Sequence, residues 1–141
     1  MEINFDSWVS DRMNFDDDAK RICIETANEI LYISIDIRKR GLLVQKDRLS
    51  EFKRSDMFLH KALSLAIDSY TEDDIRKILQ SEIVEGDYRG EELLRRILII
   101  EGIRAIICGN NPMRIADYLA SFFGENYFRL RKENLYEYIY W

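Results

Sequence analysis

Acid–base and nucleophilic catalysis needs a tuned side chain beside a second polar group, and this chain of 141 residues offers few candidates. His60 is its single histidine. Met57, three residues before it, stands where a Glu-x-x-His pair would need its glutamate, so a ferritin-like dimetal site is excluded. The pattern around His60 places it on a helix surface or half-buried. Cys-x-x-Cys, P-loop, dinucleotide-glycine and nucleophile-elbow motifs are missing. The acidic runs Asp16-Asp17-Asp18 and Glu72-Asp73-Asp74 both stand at helix starts. Carboxylates there cap free N–H groups and favour the positive end of the helix dipole, which accounts for them without a metal. Cys23 and Cys108 fall in apolar helical stretches and read as two buried thiols in a reducing cytoplasm; a disulfide is possible but nothing requires one. No enzymatic activity, cofactor or metal is expected.

Charge points to interaction instead. The net charge of −5 disfavours general binding to nucleic acid or an anionic membrane. Against it stands a basic segment, Arg38, Lys39, Arg40, Lys46, Arg48, Lys53 and Arg54. It reads either as a solvated helix end and loop, or as an electrostatic docking surface for an acidic protein partner. The C-terminal run from Tyr127 to Trp141 is rich in Tyr and also reads two ways. It packs across a bundle, or it exposes aromatic anchors for self-association or a partner.

The elements that must position these groups are helices. One proline and six glycines argue against the many turns of a sandwich or barrel. A helix starts at Asp18 and ends at Arg38-Lys39-Arg40-Gly41, basic residues and then glycine. Ile33-Ser34-Ile35-Asp36-Ile37 alternates like a strand, but it prolongs a helical pattern that includes Ile22, Cys23, Ala27, Ile30 and Leu31. Leu42 to Arg54 reads as a short helical turn followed by a loop. Ser55-Asp56 opens a helix burying Phe58, Leu59, Ala62, Leu63, Ala66 and Ile67. Thr71 with Asp74 has the form of a capping box before Ile75, Ile78, Leu79 and Ile83. Glu85 to Gly90 reads as a turn, and a further helix stops at Cys108-Gly109. Asn111-Pro112 restarts the chain as N-cap and first helical residue, with Gly124 closing that helix.

The first residues lack the pattern of a signal peptide, and no stretch approaches the ~18–20 apolar residues that span a bilayer. The nearest, Leu93 to Cys108, is interrupted by Arg95, Arg96, Glu101 and Arg104. A cytoplasmic protein without membrane insertion is expected. The fold class expected is all-α, a single-domain antiparallel bundle of about five to six helices. It comprises an N-terminal arm (1–17), a helical core (18–124) and an aromatic tail (125–141).

Three stretches together resemble the flagellar stator subunits of the MotA family. Arg38-Lys39-Arg40-Gly41-Leu42-Leu43 is similar to the charged segment and Gly-Leu-Leu step below the family's second membrane helix. Asp56-Met57-Phe58-Leu59, Ala62 to Asp68 and Ile78-Leu79-Gln80-Ser81-Glu82-Ile83 are similar to its cytoplasmic region. Ile100-Glu101-Gly102-Ile103, Ala105-Ile106, Gly109-Asn110-Asn111-Pro112, Ile115, Leu119 and Ser121-Phe122 are similar to its C-terminal run, the most specific of the three. In the family two membrane helices separate the second stretch from the third, whereas here only residues 84–96 lie between Ile83 and Ile97. The resemblance therefore implies a hairpin in place of the membrane helices, and no ion pathway. It leaves the cytoplasmic face, which in the family meets the rotor switch protein FliG through charged residues. One such position falls on Arg38, which keeps its positive charge; the other, acidic in the family, falls on Lys46. The resemblance implies a non-enzymatic module of the flagellar motor that binds a FliG-like rotor protein or membrane stator subunits, with Arg38, Lys39, Arg40, Lys46 and Arg48 as its docking surface. The alternative is a helical scaffold unrelated to motility that forms a homo-oligomer through its aromatic tail.

Overall fold

A computed structural model of the chain describes residues 4–126. The expected aromatic tail therefore lies outside the described residues, apart from the backbone of Glu125 and Asn126. Within them the fold is an all-α bundle of seven α-helices and two 3-10 segments. The α-helices are α1 (Phe5–Ser10), α2 (Asp17–Arg40), α3 (Leu49–Ser55), α4 (Met57–Ile67), α5 (Glu72–Gly86), α6 (Gly90–Ile107) and α7 (Pro112–Ala120). Leu42–Arg48 and Ser121–Asn126 are the 3-10 segments.

Side-chain oxygens start most of these helices, as the sequence predicts. Asp16 Oδ1 accepts from the Ala19 amide at 2.7 Å, Asp56 Oδ1 from Leu59 at 3.0 Å, Thr71 Oγ1 from Asp74 at 3.1 Å and Asn111 Oδ1 from Arg114 at 2.9 Å. Each satisfies an amide that the helix itself leaves without a partner. The strand-like run at 33–37 is helical. Ile33 is buried, Ser34 is buried with its hydroxyl donating to the Leu31 carbonyl at 2.7 Å, and Ile35 and Ile37 are half-buried.

The centre of the bundle is α6. Ile97, Leu98, Ile99 and Ile100 are all buried, and four consecutive buried side chains circle a helix completely. Its main neighbour is α2. Cys23 Sγ lies 3.4 Å from the Glu91 carbonyl, and a Cβ at Gly102 would run into the Ile30 side chain. Positions rising together on both helices mean that α2 and α6 run in the same general direction. Against this pair α5 runs antiparallel, because Glu72 at its start meets Arg104 near the end of α6.

Four expectations need correction. Leu42 to Arg54 is not a loop: it is 3-10 through Arg48 and then α3, held by the buried Gln45 and Phe52. The turn expected over Glu85 to Gly90 is only Asp87 to Arg89, since α5 runs through Gly86 and α6 begins at Gly90. Asp87 itself takes the left-handed conformation at φ 48°, which an aspartate tolerates better than most residues. Ile22 does not join the core but is 46% exposed. Cys108 is exposed as well. The N-terminal arm carries α1, whose Val9, together with Phe15, is buried in the same apolar cluster as the rest of the fold.

Candidate docking surface

Between residues 38 and 54 seven Lys and Arg face only Asp47 and Glu51, so this segment is strongly positive in an acidic chain. Local structure divides its cations into two kinds. At the end of α2 the chain turns at Gly41, φ 93°, which an L side chain would adopt only under strain. Arg40 folds back one helical turn onto Asp36, with Nε at 2.6 Å and Nη2 at 2.8 Å from its two oxygens. Gln45, fully buried, donates to the same carboxylate at 2.7 Å. The Arg40 hydrogen bond, with lesser help from Gln45, holds the Asp36 carboxyl below its usual range.

Arg48 is turned inward. Its guanidinium lies over the rings of Tyr32 and Phe52, 5.2 and 5.1 Å from their centroids. Arg38, Lys39 and Lys46 are exposed and make no ion pair among the described residues. Of the five cations predicted for docking, these three have no ionic partner among the described residues, whereas Arg40, itself exposed, is paired with Asp36 and Arg48 is held over two rings. Leu43, beside them, is 64% exposed, the most exposed large apolar side chain described.

The other candidates have structural partners. His60 Nδ1 donates to the Leu49 carbonyl at 2.9 Å and ties α4 to α3. Asp73 pairs with Arg76 and Lys77 on its own helix. No group of three His, Cys, Asp or Glu among the described residues could hold a metal ion. Cys23 is buried, and burial first of all pushes its thiol up to about 11.

Sequence reasoning missed a polar cleft of about 300 Å³ between α5, α6 and α7, lined by Glu72, Glu101, Arg104, Cys108, Arg114 and Tyr118. Arg104 bridges Glu72 and Glu101, and Tyr118 donates to Glu101 at 3.2 Å. Cys108 donates its S–H to Glu72 Oε2 at 3.0 Å, and this hydrogen bond raises the thiol's pKa. A thiol held protonated is a poor nucleophile, and the charges of the two glutamates and two arginines balance. The cleft is a clamp between helices. Residues 32 and 36 positions apart meet there, so no local motif could have marked it. No helix among the described residues is long and apolar enough to cross a membrane. No protein-family model, curated protein or solved structure matches the chain.

Proposed function

We propose that the chain is a non-enzymatic protein-interaction module built like the cytoplasmic portion of a MotA-type stator subunit, serving the flagellar motor by docking rather than by conducting ions. One observation carries this reading. The two stretches that flank the membrane helices in the family are here α5 and the body of α6, antiparallel neighbours joined through Asp87 to Arg89. The restart at Gly109 to Pro112 supports it further, with Gly109 at φ 79° and Asn111 capping α7 over Pro112.

Docking would use the projecting cations, Arg38, Lys39 and Lys46, against an acidic patch on a FliG-like rotor protein or a membrane stator subunit. Exposed charges steer encounter and lose strength as salt rises. The test is binding of the purified chain to both candidate partners from its own organism, measured across ionic strength. Binding that weakens with salt and is lost in an Arg38→Glu/Lys46→Glu variant is expected. Absence of contact with either partner removes the motor reading.

A further inference from the structure

The outward face of α2 has a charge pattern of its own. Asp18, Glu25, Tyr32 and Lys39 recur every seven residues and are all exposed, Tyr32 at 50%. Side chains seven apart stack along one line of a helix, so these four share one strip of the α2 surface. Beside the middle of the line lies a groove of about 300 Å³ lined by Glu25, Asn28, Glu29 and Tyr32. Asn28 Oδ1 is buried there without a hydrogen-bond partner.

We propose that α2 pairs antiparallel with α2 of a second copy of this chain, about a two-fold axis passing between residues 28 and 29. That axis crosses the midpoint of α2, so both helices overlap over their full length of ~36 Å. It also makes the line of side chains complementary to itself. Asp18 faces Lys39 of the second copy, and Glu25 faces Tyr32 of the second copy, each pair occurring twice. The half-exposed Tyr32 ring enters the other copy's groove, where its phenol O–H donates to the Glu25 carboxylate. Arg48, stacked on Tyr32, adds positive charge at the same point.

The flanks of the stripe weigh differently. Arg21 already lies 3.4 Å from Asp18, and Asp36 is held by Arg40, so neither adds a strong new pair. Two copies of Glu29 approach each other beside the axis and repel. The interface is thus polar and self-limiting, suited to a reversible dimer rather than an obligate one. It is independent of docking to a motor partner, except that Lys39 serves both surfaces.

Sedimentation of the full-length chain over a range of concentrations tests this, with Asp18→Lys and Lys39→Asp as charge reversals. Either variant alone places like charges together twice and is expected to weaken dimerisation at least about five-fold. An equal mixture of the two restores both pairs in a heterodimer, so affinity returns to that of the unsubstituted chain. Glu29→Gln should tighten the dimer. A chain that stays monomeric, a dimer indifferent to both reversals, or a mixture that fails to recover would overturn the proposal. Recovery in the mixture also excludes misfolding of either variant as the cause of the loss.

Discussion

Glu72 and Arg104, 32 residues apart in the chain, meet with Arg104 Nη2 at 2.5 Å and Nε at 2.9 Å from one carboxylate oxygen. Arg104 reaches Glu101 with its third nitrogen at 3.0 Å. One guanidinium thus fixes the antiparallel register of α5 on α6. Arg104→Met leaves two carboxylates facing each other and is expected to cost about 1–2 kcal/mol. Glu72→Gln should cost less, since the Glu72 side chain is 37% exposed and the pair is partly screened. Urea unfolding midpoints of both variants check the order.

The same carboxylate and Asp36 govern acid stability. Hydrogen bonds from Cys108 and then Arg104 lower the Glu72 pKa, and the Arg40 bond lowers that of Asp36. A carboxyl whose folded pKa is depressed stabilises the fold above its unfolded value, roughly pH 4, and loses that contribution as pH falls through the folded value. Stability should therefore fall below about pH 4. Arg40→Met should flatten that dependence, as seen by repeating denaturant unfolding between neutral pH and acid.

Asp56 performs two tasks with its two oxygens. Oδ1 caps α4, and Oδ2 accepts from Arg95 Nη1 at 2.5 Å, joining α4 to α6. Asp56→Asn keeps an acceptor for the cap while removing the charge opposite Arg95. Asp56→Ala removes both, and should destabilise by about 1 kcal/mol more than Asp56→Asn. Equal losses in a thermal melt of the two variants would show that the cap contributes nothing.

Gly102 is a point of close approach between α2 and α6. A Cβ there meets Ile30 Cγ2, on a β-branched, fully buried side chain with little rotamer freedom. Gly102→Ala should destabilise by about 1–3 kcal/mol despite alanine's higher helix propensity. At Gly41 nothing lies within 4 Å of an added Cβ, but φ is 93°. Gly41→Ala should therefore act through backbone strain alone, and calorimetry can rank the two.

The two thiols should label at very different rates. Cys108 is exposed but held protonated by Glu72, and Cys23 is enclosed against the Glu91 carbonyl. A thiol reagent at neutral pH should modify Cys108 slowly, and Cys23 only on unfolding. Glu72→Gln should speed the Cys108 reaction, because the hydrogen-bonded carboxylate is the first cause of its raised pKa.

Legibility in the sequence followed the range of the interaction. Asp16, Asp56, Thr71 and Asn111 each act on the amide three residues ahead, so the sequence alone located those helix starts. Leu42 to Arg54 reads in the sequence as a short helical turn and then a loop because Gln45, a polar residue, fills a buried position by binding Asp36. Cys108 looked apolar by context, yet it sits past the last turn of α6 and faces a glutamate. The basic segment was visible as charge. Which of its members lack a partner could not be read, because Arg40 pairs with Asp36 and Arg48 packs on Tyr32 and Phe52 through folded geometry.

The short link from Asp87 to Arg89 has a consequence for engineering. It joins two helix ends that emerge side by side, so foreign sequence spliced there would leave and re-enter the fold at one place. A reporter protein, or a pair of apolar spanning helices, could be grafted at that port without re-routing the chain. The graft would tether the unit at that point while the remainder keeps its shape.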